Sequence, residues 1–192
     1  MSYDANNAYG ANSANPAGSG AYGPGAMGNG AQIRGAASPE DLSLPLYGAS
    51  FWQAVKRFFK KYAKFTGRAS RSEFWWSMLF VFLLLLIPGI LYSIGLGMTA
   101  AATATMAADP YGSQMAAAPS GGAIALTAIG GILMGIVWAA VIVPYLAIFW
   151  RRLHDGNFAG PFFFLMLIPG AGIIVYILAI LPSKPEGQRF DV

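Results

Sequence analysis

Three apolar runs dominate the chain, at 74–96, 125–149 and 161–181, and none of them contains Asp, Glu, Lys, Arg or His. A helix rises 1.5 Å per residue, so about 20 residues cross the roughly 30 Å hydrocarbon core of a bilayer. Each run is long enough, and the pattern predicts three transmembrane helices. Each also carries an interior proline (Pro88, Pro144 and Pro169), where a kink is the ordinary outcome. In the third run, Ile168-Pro169-Gly170-Ala171-Gly172 also admits a re-entrant hairpin that enters and leaves on one side.

A different period precedes the first run. Phe51, Val55, Phe58, Tyr62 and Phe65 recur at alternating spacings of four and three, while Gln53, Lys56, Arg57, Lys60, Lys61 and Lys64 fill the other side. That spacing predicts an amphipathic helix over 50–66, opened by the capping pair Ser50 and Gln53 and closed at Gly67. A basic face opposite an aromatic stripe suits a juxtamembrane helix in the headgroup plane, with Lys56, Arg57, Lys60, Lys61 and Lys64 on anionic lipid. The alternative is a helix packed on a protein partner. Nucleic acid is not expected there, because the stripe adjoins a spanning segment. Residues 1–48 show no apolar period of either kind. Their Ala, Gly, Asn, Ser and Pro predict a disordered tail, either merely solvated or a Tyr/Gly interaction arm.

Composition agrees with this class. Of 192 residues, 56% are hydrophobic and 10% charged, whereas a soluble domain carries about 25% charged residues. The expected fold is an all-α integral membrane protein with a low-complexity tail at 1–48 and a membrane domain at 50–192. Seven of the twelve Lys and Arg residues lie between Lys56 and Arg71, and Arg151 and Arg152 follow the second run. The segment 97–122 holds no Lys or Arg. By the positive-inside rule the N-terminus and the Arg151 loop are cytoplasmic and 97–122 is an external loop. Three full spans leave the C-terminus outside; Lys184 and Arg189 pull the other way, toward the re-entrant form.

Candidate chemistry is sparse. There is no cysteine, and His154 is the single histidine, which excludes thiol nucleophiles and any two-histidine metal site within one chain. No catalytic residue, metal or cofactor is expected. The uncharged spans argue against proton relays and ion coupling. Small residues repeat every four positions at Thr127, Gly131, Gly135 and Ala139 and at Gly89, Ser93 and Gly97. They suit close helix contact within the chain or in a homo-oligomer. Polar residues gather at one membrane depth, with Arg68, Arg71 and Glu73 entering the first span and Arg151, Arg152, His154 and Asp155 leaving the second. These are the candidate binding cluster, for lipid phosphate or a membrane-protein partner. The alternative is that the two arginines snorkel and anchor the helix.

The stretch from Phe65 to Trp75, Phe-Thr-Gly-Arg-Ala-Ser-Arg-Ser-Glu-Phe-Trp, followed by Pro144 and Arg151-Arg152-Leu153-His154-Asp155, resembles the domain-of-unknown-function 805 family of small bacterial inner-membrane proteins. The likeness covers about 50–190. It carries Gly67, Arg68, Arg71, Glu73, Trp75, Arg151, Arg152, His154, Asp155, Gly160, Pro169 and Gly172. It implies a few transmembrane helices in a bacterial cytoplasmic membrane and no established activity. After His154-Asp155 the family usually continues Thr-Gly-basic-Ser-Gly-Trp-Trp, whereas Gly156 to Phe162 here lack the basic residue and the tryptophan pair. The expectation is a non-catalytic multi-pass protein that binds a partner protein or anionic lipid at its cytoplasmic face. The alternative is a subunit of an oligomeric transporter or channel.

Overall fold

The computed structural model describes residues 33–108 and 118–191, and all regular structure among them is helical. Helix α1 is Phe51–Lys60, α2 Arg71–Ala108, α3 Gly121–Asp155 and α4 Gly172–Ile180. Short 3-10 helices at Gly160–Leu167 and Pro185–Phe190 flank α4.

Two helices, α2 and α3, are long and apolar enough to cross a membrane, and they contain the runs expected at 74–96 and 125–149. They pack as an antiparallel hairpin, with lipid-type side chains such as Ile87, Ile132 and Ile136 more than 60% exposed along their length. Helix α2 continues to Ala108, so the first part of the external loop expected at 97–122 is helical. The alanines at 100–102 explain this, since Ala has the highest helix propensity. The middle of that loop lies outside the described residues.

The helix contact keeps Thr127 and Gly131 of the expected small-residue rows and departs from the rest. A side-chain carbon on Gly130 would lie 2.5 Å from the Tyr92 nitrogen and 2.9 Å from the Pro88 carbonyl, and one on Gly95 2.5 Å from the Thr127 nitrogen. The contact therefore follows Pro88, Tyr92 and Gly95 against Ala123, Thr127 and Gly130, at spacings of four and three. Gly89, Gly97 and Gly135 meet no described atom within 4 Å. A helix turns every 3.6 residues, so a strict four-residue row drifts off the seam that real packing follows.

The third expected span, 161–181, is not one helix. It breaks after Leu167 into a turn where Gly170 has φ +83°, and α4, with 9 residues, is far shorter than the ~20 residues a span requires. Both ends of the segment lie beside the end of α3. Gly160 packs on Trp150, and Arg152 donates to the carbonyls of Ala179 (2.8 Å) and Leu181. Phe74 and Phe149 meet edge to face at 4.7 Å, and Phe163 and Tyr176 close on Phe149 at 5.4 and 5.7 Å. The main apolar core thus sits directly against the charged end of the hairpin.

Two further expectations change. Residues 33–48, read as part of a disordered tail, form an ordered strap across the charged end, with Pro45 and Leu46 buried. Residues 1–32 of that tail lie outside the described residues. Helix α1 begins after Ser50, whose backbone N–H donates to the Gln53 side chain (2.9 Å), but it stops at Lys60 rather than at 66. Its aromatic side packs on α2, Phe51 against Trp76 at 5.8 Å and Phe59 against Phe80 at 5.7 Å.

Candidate functional site

The start of α2 builds the first polar nest. Ser70 and Glu73 form a reciprocal cap: the Glu73 backbone N–H donates to the Ser70 hydroxyl (3.1 Å), and the Glu73 carboxylate accepts the Ser70 N–H (3.0 Å). The same carboxylate oxygen accepts the Leu46 N–H at 3.3 Å, and the other pairs with Arg57. Arg57 then donates to three strap carbonyls, Pro39 (2.9 Å), Asp41 (2.6 Å) and Leu44 (2.5 Å). Arg57 and Glu73 are each 2% exposed. Every contact that Arg57 and Glu73 make with the strap uses its backbone, which an apolar-period reading of 33–48 cannot detect.

The end of α3 builds the second nest around Asp155, which is fully buried. One carboxylate oxygen accepts the Tyr47 hydroxyl (3.0 Å) and faces Arg68 at 3.5 Å. The other accepts from Arg152 and the Ser183 hydroxyl. Arg68 grips Asp191 through two nitrogens, at 2.9 and 2.7 Å, and donates to the Arg34 carbonyl at 2.9 Å. Burial, and after it the nearby Asp155 charge, push the Tyr47 hydroxyl well above its ordinary pKa. The His154 ring stacks on Phe190 at 3.9 Å, with Nδ1 3.1 Å from the Gly67 carbonyl. Gly187 packs so closely that a side-chain carbon there would lie 2.5 Å from the His154 carbonyl. The nest ties the ends of α3 and α4, the approach to α2, the strap and the C-terminal segment into one clasp. With both Asp155 oxygens engaged by four partners, none is directed at an outside molecule.

Of the expected cluster, Arg68, Arg152, His154 and Asp155 come together. Glu73 belongs to the neighbouring nest. Arg71 is exposed and only touches the Leu181 carbonyl at 3.3 Å, so it is not Asp155's partner. Arg151, 2% exposed, lies in electrostatic range of Glu73 and Arg57. Among the lipid-facing candidates, Lys56 and Lys60 are exposed and Lys64 is half-buried, whereas Arg57 and Lys61 are buried. Four residues apart, Arg57 and Lys61 share the side of the helical turn that the strap covers. Burial, opposed by Glu73 and helped by the like charges of Arg57 and Arg151, pushes Lys61 down to about 7. The reading from sequence missed Tyr47, Ser183 and Asp191 entirely. Their only signal was the scarcity of charge and of polar anchors elsewhere.

The family model described as "Protein of unknown function (DUF805)" matches residues 62–192. The chain belongs to this family. The DUF805 match includes Arg68, Glu73, Arg151, Arg152, His154, Asp155 and Asp191, and it leaves out the strap and α1. The chain is also similar to "Inner membrane protein YhaH" of Escherichia coli K12. The two are 30% identical over 132 residues, covering 68% of this chain and 87% of that protein. The same figures hold for the protein of that name in Escherichia coli O157:H7. No solved structure matches the chain.

Proposed function

We propose that this DUF805 protein is a non-catalytic, multi-pass protein of the bacterial inner membrane, whose α1 rests on the anionic cytoplasmic leaflet. The observation that carries this reading is the outer side of α1. Trp52 is 69% and Phe59 40% exposed, beside the exposed Lys56 and Lys60, while Arg57 on the inner side is paired with Glu73. Aromatic rings flanked by exposed lysines fit a headgroup layer better than bulk water. In this reading the Arg68, Arg152, His154 and Asp155 clasp fixes the cytoplasmic ends, and binding falls to α1. Cysteine-free sequence makes a labelling test clean. A Trp52→Cys variant in nanodiscs should be shielded from a water-soluble maleimide by phosphatidylglycerol but not by phosphatidylcholine. Each lysine near an anionic surface contributes about 1 kcal/mol, so Lys56→Gln, Lys60→Gln and Lys64→Gln together should abolish the difference. Equal labelling in both lipids removes the proposal.

The same reading makes 160–181 a re-entrant hairpin and places both chain ends in the cytoplasm. The support is that both ends of the segment lie at the Arg152 level, and that no Lys or Arg occurs in 97–122. In intact cells an impermeant thiol reagent should label Ser120→Cys and leave Ser38→Cys and Lys184→Cys untouched. Labelling at Lys184→Cys with Ser38→Cys protected restores three full spans.

A further inference from the structure

A proline inside a helix removes one donor and crowds one acceptor. Pro144 is buried within α3. It carries no N–H, so the carbonyl four residues before it, that of Ala140, loses its helical partner, and the proline ring presses that carbonyl aside. Ala140 is exposed on the side of α3, within the uncharged run 125–149, and in hydrocarbon no water replaces a missing donor. The donor comes from outside the helix. The Tyr62 hydroxyl donates to the Ala140 carbonyl at 2.9 Å, across 78 positions of sequence. Tyr62 stands in the turn that ends α1, its backbone N–H on the Phe59 carbonyl at 3.1 Å, so its position follows that of α1. It is also 39% exposed. The bond to Ala140 can therefore open without unpacking the core.

We propose that Tyr62 is a latch through which the position of α1 sets the bend of α3 at Pro144. A helix is free to flex where proline has removed a ladder bond, and a donor that holds the freed carbonyl on one side selects one bend out of that range. With the hydroxyl in place, the outer half of α3 keeps a fixed direction relative to the Asp155 clasp at its base. When α1 shifts, the donor leaves and the hinge at 140–144 is released. Tyr62 is thus a positioning residue, acting on the spanning helix through a backbone oxygen. What moves α1 rests on the anionic-leaflet contact proposed above; the latch itself does not.

A double-mutant cycle on the full chain, read by thermal unfolding in detergent, tests the bond, because Pro144→Ala returns a backbone N–H to Ala140 and makes the hydroxyl redundant. Tyr62→Phe should lower the midpoint by about 2–4 °C, the shift of one hydrogen bond in a chain of this size. In Pro144→Ala it should change nothing. The bend is read separately, from spin labels on Ile124→Cys at the outer end of α3 and Lys184→Cys, whose backbone N–H bonds the Asp155 carbonyl at its base. Tyr62→Phe should broaden that distance distribution, and adding Pro144→Ala should narrow it again. In nanodiscs, replacing phosphatidylcholine with phosphatidylglycerol should alter the distribution in the Tyr62 protein and leave Tyr62→Phe unmoved. Equal midpoint losses in both backgrounds, or a distribution that Tyr62→Phe leaves unchanged, overturn the latch. A coupled cycle with a lipid-independent distance upholds the latch and counts against the leaflet contact instead.

Discussion

Asp155→Asn is expected to destabilise the protein by about 3–5 kcal/mol, the usual penalty for removing one member of a buried ion pair. The carboxylate is fully buried and faces Arg68 at 3.5 Å and Arg152 at contact distance. Without its charge, two buried guanidiniums lose their shared counter-ion. An Asn amide also presents N–H donors to groups that are themselves donors, Arg152 and the Ser183 hydroxyl. At 2–4 °C per kcal/mol for a chain of this size, the midpoint should fall by on the order of 10 °C. A double-mutant cycle locates the partner. Asp155→Asn with Arg68→Gln should couple by roughly 0.5–3 kcal/mol, while Asp155→Asn with the exposed Arg71→Gln should be additive. Additivity with Arg68 and coupling with Arg71 would reverse the assignment.

Glu73→Gln is expected to cost a similar amount, about 3–5 kcal/mol, by a different route. It strips the counter-charge from Arg57 and weakens the cap that starts α2. The glutamine can still accept the Ser70 N–H, so most of the loss comes from Arg57. Arg57 is also the strap's main anchor, through the carbonyls of Pro39, Asp41 and Leu44. Loss of order should therefore appear first in 33–49, as faster proteolysis of that segment in folded protein. Adding Arg57→Met should recover part of the thermal stability, because an apolar pair in a buried site is often no worse than an ion pair. It should not recover protease resistance, because the strap has lost its donor. A strap equally resistant in Glu73→Gln and in the unaltered protein would show that its carbonyls do not depend on Arg57.

Much of the membrane architecture could be read along the chain. Uncharged runs as long as 74–96 and 125–149 exceed what a soluble surface tolerates, and only helices satisfy their backbone in lipid. The Ser70 and Glu73 cap is local, with donor and acceptor three residues apart, so the residue spacing alone carries it. So was the membership of Arg68 and Asp155 in one cluster legible, since few charges remain in the membrane domain, although which arginine meets Asp155 was not. The break in 160–181 had its mark in Pro169 and Gly170, but hydropathy alone could not choose between a span and a hairpin. In the fold, Arg152 holds the carbonyls of Ala179 and Leu181 at the far end of that segment.

Other features needed the assembled fold, for identifiable reasons. The row of glycines at every fourth residue pointed to a seam, yet the real one runs through Gly95 and Gly130, because two helices choose their rotation by packing along their whole length. The strap escaped notice because it is held largely through backbone groups, which every residue carries and no side-chain pattern reports. Arg57 and Lys61 read as surface charges until the strap covered their side of α1. Helical period determines which residues share a face. Whether that face meets lipid, water or a distant stretch of the same chain depends on contacts between residues far apart in sequence, and here that alone decided which lysines are exposed and which cations are buried.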